Sequence, residues 1–393
     1  MKTKEMADLP QRILIVGQNV RHIAASASRA GHQVFAADCY NDLDLVETAT
    51  RSLLLDADPS IPGDLERSAR LLIREVVEMD QIDGLVLGPG IEDMRSEGLR
   101  VLNNPPDKTS TVSDKLWLAS WLDEEGFATV PTRTLAEAGD LQGFPLMVKP
   151  RRGAGGFENR QIFTGEELAG VGGDLIVQEM VEGTPASVSV VADGEEAVAV
   201  SANEQLIGTD WLGGTGFRYC GNLTPLDRPL YDPVIEEMMD IGEEIAERLR
   251  LVGSNGIDFI LAESGPLVLE VNPRFQGSLD SVEISTGMNL FQAHLLSFEG
   301  VLPERPKPRR FGARGILFAD GDLGICADLR SVTPWIADVP RPGSMAKEGE
   351  PVVSILSYGK EKRTAVDLLK GRSWRILRAC RRIRPASPGD YPI

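Results

Sequence analysis

Cysteine and histidine are scarce in this 393-residue chain, with four of the first and three of the second. Cys39, Cys220, Cys326 and Cys380 lie far apart, without a CxxC pair, and His22, His32 and His294 have no partner at a ligand spacing. This excludes a Cys/His zinc site and a disulfide framework, and points to reduced, mostly buried thiols in a reducing cytoplasm. Long apolar runs are missing too. After the polar stretch from Met1 to Gln11, Ile13 to Val16 is only a strand's length, and no later run is longer than a core element needs. Neither a signal peptide nor a membrane span is expected. Positive charge is outnumbered, 41 Lys and Arg against 59 Asp and Glu, for a net charge of −18. Such a body repels phosphate backbones and anionic lipid, so no nucleic-acid or membrane partner is expected. Two nucleotide fingerprints are absent as well: the turn after Arg12–Gly17 is not GxGxxG, and no Gly-Lys-Ser/Thr marks a Walker A loop.

What remains is a globular composition, 42% apolar and 25% charged, long enough for two to four units. Residues 12–17 (RILIVG) read as a buried parallel strand, Val20 to Ala30 as a helix ending at Gly31, and Gln33 to Ala37 as a second strand ending near Asp38. Leu71 to Met79 is helical and Gly84 to Leu87 another strand, so residues 1–105 form a small parallel α/β domain. After the break at Asn103-Asn104-Pro105-Pro106, a helix spans Ser113 to Glu125. Short strands follow at Val148 to Pro150 and Leu175 to Glu179. Residues 187–192 and 196–201 form a hairpin turning at Asp193-Gly194. A helix with one acidic face spans Pro233 to Leu251. Two strands follow, Gly256 to Leu261 and Leu267 to Asn272, joined at Glu263-Ser264-Gly265. Pro303 to Pro308 closes this core, residues 106–305. Residues 306–393 read as a β-rich extension with strand pieces at 313–318 and 351–356. Its basic helix within 360–384 offers Leu368, Leu369, Ile376, Leu377 and Cys380 as an apolar face for docking on the acidic body.

The chemistry concentrates in Asp258 and in Glu270-Val271-Asn272-Pro273-Arg274. Side chains in strands alternate, so two paired antiparallel strands can bring both carboxylates and the amide of Asn272 to one face. Such hard oxygen donors suit Mg²⁺, which keeps substrate phosphates in its shell. Arg274, two residues on, is placed to hold a phosphate or a developing oxyanion. A second cluster is Lys149 followed by Arg151-Arg152-Gly153-Ala154-Gly155-Gly156, where free amide N–H groups can approach phosphates. Lys115 opens a helix after Ser113-Asp114. A third cluster, Gln178 to Gly183, ends a strand in Glu-Gly and offers backbone groups to a base edge and a carboxylate to ribose.

In this order the clusters resemble the ATP-grasp superfamily over about residues 108–295, in the branch of biotin carboxylase and carbamoyl-phosphate synthetase and the predicted ATP-dependent carboligases. The resemblance implies an ATP-grasp core with a lid at about 125–190, preceded by the α/β domain and followed by the extension. It implies that Lys115 and Lys149 contact the ATP phosphates, and that the loop from Arg152 through Gly153, Gly155 and Gly156 to Phe157 is the mobile phosphate lid. It further implies that Glu179, Met180 and Val181 hold adenine with Glu182 on ribose. Asp258, Glu270 and Asn272 would bind Mg²⁺ (or Mn²⁺), and Arg274, with Lys149, would stabilise an acyl-phosphate transition state. One departure is informative: Gln276 is retained, but Ser278 stands where biotin carboxylase has a glutamate acting as base on bicarbonate, while Glu283 and Thr286-Gly287 continue the pattern. A serine is no base near neutral pH, which argues against biotin carboxylation. The expected activity is therefore a carboxylate–amine ligase acting on small molecules, with an amino acid and a cofactor precursor as one such pair. A phosphotransferase and a nucleotide-binding or sensing protein without turnover are the alternatives. A homo-oligomer stays open.

Overall fold

The structure, a computed structural model, describes residues 9–382 except 142, 157 and 228–231. Its first sheet is parallel throughout, β3-β2-β1-β4, from β1 (Arg12–Val16), β2 (Gln33–Asp38), β3 (Arg51–Leu54) and β4 (Gly84–Leu87). The unbroken apolar run of β1 follows from burial on both faces. Ile13 and Ile15 pack towards Ile23, Ala24 and Ala27 of α1 (Arg21–Arg29). Leu14 and Val16 pack with Leu65, Ala69, Ile73 and Val76 of α3 (Asp64–Met79), which follows α2 (Leu43–Thr48). The strand order reverses between β1 and β4, and Gln18 N donates to Pro89 O (2.8 Å) across the carboxyl ends there.

Pro106 starts α4 (Pro106–Val112), and Asp114 caps α5 (Lys115–Glu124) by accepting from Leu116 N and Trp117 N. A four-stranded antiparallel sheet, β5-β8-β6-β7, comprises β5 (Thr132–Thr134), β6 (Leu146–Pro150), β7 (Arg160–Ile162) and β8 (Leu175–Glu179), with α6 (Gly165–Ala169) between the last two. It buries its own small core of Ala138, Leu146, Val148, Ile162 and Val177.

The largest sheet has eight strands, β13-β12-β9-β10-β11-β14-β18-β16. The expected hairpin is longer than its sequence signal, β9 (Thr184–Asp193) and β10 (Ala197–Ile207), with Ala192 opposite Ala197 and Gly194 at φ +100° in the turn. β11 (Tyr219–Thr224) precedes α7 (Pro233–Arg248), which lays Met238, Ile245 and Ala246 against Val188, Ile257 and Phe259 of the sheet. β12 (Val252–Ala262) and β13 (Gly265–Asn272) form the second hairpin, and α8 (Leu279–Thr286) and α9 (Leu290–Ser297) follow. Beyond the proline-rich break, β14 (Phe311–Phe318) pairs with β11, and β18 (Pro351–Gly359) with β14. The segment after residue 305 thus continues the sheet of the segment before it. β15 (Leu323–Gly324), β17 (Met345–Ala346) and β19 (Arg381–Arg382) make a small separate sheet, and β16 (Ile336–Ala337) edges the large one. The basic helix α10 (Lys362–Ala379) docks Ala365, Leu369 and Ile376 on this extension, with Leu368 left exposed. No helix among the described residues is long and apolar enough to cross a membrane.

Candidate active site

The β12–β13 register sets Asp258 directly opposite Glu270, with a bulge just after Asp258, and sets Asn272 opposite Gly256. All three side chains line one cavity of about 640 Å³ between the eight-stranded sheet and the smaller sheet that carries the glycine-rich loop. Asp258 Oδ1 accepts from Gln205 Nε2 (3.0 Å) and Oδ2 from Asn272 Nδ2 (3.1 Å). Withdrawal from water and the facing charge of Glu270 push the Asp258 carboxyl up to about 7. Two like charges at one place are relieved by a cation, and a divalent ion with oxygen preference fits this donor set. Among the described residues no three His, Cys, Asp or Glu side chains form a ligand cluster; this face offers a cation two carboxylates and one amide. The amide of Asn272 now gives its nitrogen to Asp258, and its oxygen accepts from Arg274 Nη2 at 3.3 Å. Turning it about its terminal bond would bring the oxygen to the carboxylates.

Lys149, at the end of β6, faces the same carboxylates across the cavity. Burial lowers its pKa to about 8; Lys115 adds to the lowering, and Glu270 and Asp258 oppose it. A polyanion placed here would raise it again. Lys115 lies behind the wall, its Nζ 2.7 Å from Gly153 O and 3.6 Å from Glu270 Oε1. Gly155 and Gly156 line the cavity at φ +75° and +71°. Gly155 O accepts from Tyr219 N (3.1 Å), and a Cβ on Gly156 would sit 1.9 Å from Phe217 O. The loop is therefore closed over the mouth, against the connection from β10 to β11. Arg152 and Gly153 are not in the wall. The Arg152 guanidinium donates to Ser110 O (2.6 Å) and lies near Asp114, whose carboxylate also takes Arg151 at 2.7 Å. Phe157, the far end of the expected lid loop, lies outside the described residues.

At the other end of the cavity, Glu179, the last residue of β8, and Met180, Val181 and Glu182 after it line the wall. Val130, Met147, Ile260 and Leu269 give that end an apolar lining suited to a planar base. Arg274 donates from Nε to Glu92 Oε1 (2.8 Å) and from Nη1 to Phe275 O (3.0 Å). Several lining residues carried no sequence signal, namely Gln205, Tyr219, Asn222 and Ser187. Ser278 is buried beside Ser189 Oγ (3.3 Å), and Glu283 points elsewhere, to Ser26, Arg29 and Leu290 N.

Residues 112–278 match the family model of the ATP-grasp domain. Over 361 residues, 88% of each chain, the protein is 25% identical to the uncharacterized protein MJ0776 of Methanocaldococcus jannaschii. It is 28% identical over 243 residues to 3-methyl-D-ornithine–L-lysine ligase of Methanosarcina barkeri, covering 58% of this chain and 62% of that one. The fold is similar to the biotin carboxylase domain of Hydrogenobacter thermophilus 2-oxoglutarate carboxylase, solved with MgADP and bicarbonate. That likeness has a TM-score of 0.72 and 15% identity, covering 92% of this chain and 88% of that one.

Proposed function

We propose that the chain, whose residues 112–278 match the family model of the ATP-grasp domain, is an ATP-dependent carbon–nitrogen ligase working through an acyl phosphate. The observation that carries the reading is convergence: Lys149 of β6, Asp258 of β12, Glu270 and Asn272 of β13 and Arg274 just after it line one cavity. Nucleotide-dependent activation of a carboxylate asks for this combination, with cations for the phosphates and paired acids for the metal.

In this reading Met180, Val181 and the apolar end take adenine, Glu182 the ribose, and Lys149 and the amides of Gly155 and Gly156 the phosphates. Lys115 supports the carbonyl of Gly153 and the Glu270 carboxylate. Mg²⁺, held by Asp258, Glu270 and Asn272, would neutralise phosphate charge when bound. The substrate carboxylate oxygen attacks the γ-phosphorus, the bond to the bridging oxygen breaks, and ADP leaves. An amine then attacks the acyl carbon, the carbon–oxygen bond to phosphate breaks, and the nitrogen loses a proton. Arg274 lies where charge builds on the transferred group. The closed glycine loop keeps water from the mixed anhydride. The similarity to the Methanosarcina 3-methyl-D-ornithine–L-lysine ligase supports an amine as nucleophile. Ser278 has the Ser189 hydroxyl and the Gln276 amide as partners, and a serine there is no base for bicarbonate near neutral pH.

Glu270→Gln tests the reading. It keeps the shape of the wall but removes one of the two facing charges, and acid-dependent ADP release is expected to fall by at least about a hundredfold. Turnover within a factor of a few of wild type would refute the metal role and the mechanism with it.

A further inference from the structure

Residues 208–218, between β10 and β11, include Gly208, Gly213, Gly214 and Gly216, and three of these have positive φ (+54°, +74° and +56° at Gly208, Gly213 and Gly216). Glycine loses the most conformational freedom on being fixed, so such a segment has little order of its own. Yet it is the seat on which the glycine-rich loop closes. Gly216, Phe217 and Tyr219 line the cavity. The Phe217 carbonyl leaves no room for a side chain at Gly156, and Tyr219 N donates to Gly155 O at 3.1 Å. Arg218, between the two residues that meet the loop, is not in the cavity wall. Its side chain goes to the C-terminal extension instead. There Nη1 donates to Gly349 O at 2.7 Å, and Cζ lies 4.8 Å from the centre of the Phe318 ring. Gly349, between β17 and β18, is itself fixed, its N–H donating to Ala319 O at 2.8 Å. The backbone of Arg218 ties the segment's neck: its O accepts from Gly208 N (2.8 Å) and its N donates to Thr215 O (3.2 Å). The extension grips the segment a second time, where Leu212 packs with Phe318 and Lys370 of α10 stands 5.4 Å from the centre of the Trp211 ring.

Resting on the ligase reading above, we propose that Arg218 is a positioning residue for closure of the glycine-rich loop. It acts through Phe217 and Tyr219, its chain neighbours. By it the extension, which supplies none of the described residues of the cavity wall, takes part in shielding the phosphates from water. A guanidinium suits the task because it is always charged, and its planar fork can donate to a carbonyl while lying over an aromatic face.

The test uses the full chain saturated with Mg²⁺ and a non-hydrolysable ATP analogue, with binding followed by calorimetry. Trypsin cuts after Arg151 and Arg152, at the root of the loop, when the loop opens locally, so the rate at these two bonds reads the open fraction. Arg218→Met keeps an unbranched stem but removes the guanidinium. It is expected to raise that rate about tenfold, with cutting at other sites and the unfolding midpoint close to wild type. Arg218→Lys, which keeps a cation and a donor without the rigid fork, should raise it only about two- to threefold. A merely structural role would speed cutting at all sites together. Should Arg218→Met fail to fold, Arg218→Lys decides. The proposal is overturned if the folded variants are cut at Arg151 and Arg152 at the wild-type rate, or if cutting there rises only in step with cutting elsewhere. Either result, with nucleotide still bound, leaves the ligase reading standing, whereas failure of wild type to bind Mg-nucleotide would sink that reading itself.

Discussion

His22 in α1 is 4% exposed, and both of its ring nitrogens are buried without a hydrogen-bond partner. Burial first, then the charges of Arg314 and Arg21, lower its pKa to about 3. The unfolded chain therefore binds a proton below about pH 6.5 that the folded chain refuses. The stabilising contribution of His22 is complete above that pH and is lost as pH falls towards 3. Relative to His22→Asn, wild type should lose about 1.4 kcal/mol per pH unit between pH 6 and 4, followed by denaturant unfolding at each pH. A pH-independent difference would show that the ring protonates freely. The comparison must be a difference, because Asp42, raised to about 8 by burial and neighbouring aspartates, acts with the opposite sign over the same range. At this scale the sequence was readable where periodicity does the placing. Asp258 and Glu270 could be matched because strand side chains alternate and a short turn limits the register. Tyr219 and Asn222 could not, since they are common residue types that β11 delivers to the site from a segment without a sequence signal. Arg152 was legible as a loop cation, but its competition with Arg151 for Asp114 is a tertiary fact.

Among the elements, those with a clean period were legible: β1, β4, the β9–β10 hairpin and the core of α7. The first turns of α3, residues 64–70, read DLERSAR, and only Leu65 and Ala69 are buried there, so the helix shows its period only from Leu71. β3, β5 and β7 are three or four residues long and hold at most two apolar positions, too few to show any alternation. The glycine loop was legible by composition, but its closure was not. That closure makes a test of the lid. In Gly156→Ala the new Cβ would meet the backbone oxygen of Phe217 at 1.9 Å, with φ at +71°, and neither can yield cheaply. Gly155 has a similar φ of +75° but nothing within 4 Å of its Cβ position. Gly156→Ala is therefore expected to lower kcat for ADP release by about 10- to 100-fold and to leave the loop open to protease with Mg-ATP present. Gly155→Ala should cost far less. Equal effects of the two would mean that strain, not closure, is being measured.

Across the whole molecule, three segments are locked by buried charge. Arg21 of α1 donates to Asp280 at the start of α8 (2.7 Å) and to Asp338 beyond β16 (2.9 Å). Arg314 of β14 reaches Asp338 at 2.9 Å and approaches Asp280 at 3.7 Å. Two cations and two anions thus alternate around a nearly dry ring, with the Asp44 carboxylate a third anion 3.5 Å from Arg21. No sequence pattern announces it, because its members stand up to 317 residues apart. Asp338 also has a left-handed backbone, φ +55°, with its N–H donated to Asp44 (3.0 Å), a conformation the surroundings impose. Burial alone would raise both acids, but Arg21 and Arg314 overcome it, holding Asp280 at about 2 and Asp338 well below the usual carboxylate range. Their stabilisation is therefore present above about pH 4 and is lost as pH falls through the folded values. Asp338→Asn leaves two buried guanidinium groups with Asp280 and the more distant Asp44, and removing one partner from such a set costs about 3–5 kcal/mol. The variant should unfold at correspondingly lower denaturant at pH 7, and its stability should fall less steeply than that of wild type between pH 4 and 2, because one of the two acids that titrate there is gone. A loss below about 1 kcal/mol, the size of a surface pair, would mean that water reaches the ring and that the three segments are held together by apolar packing alone.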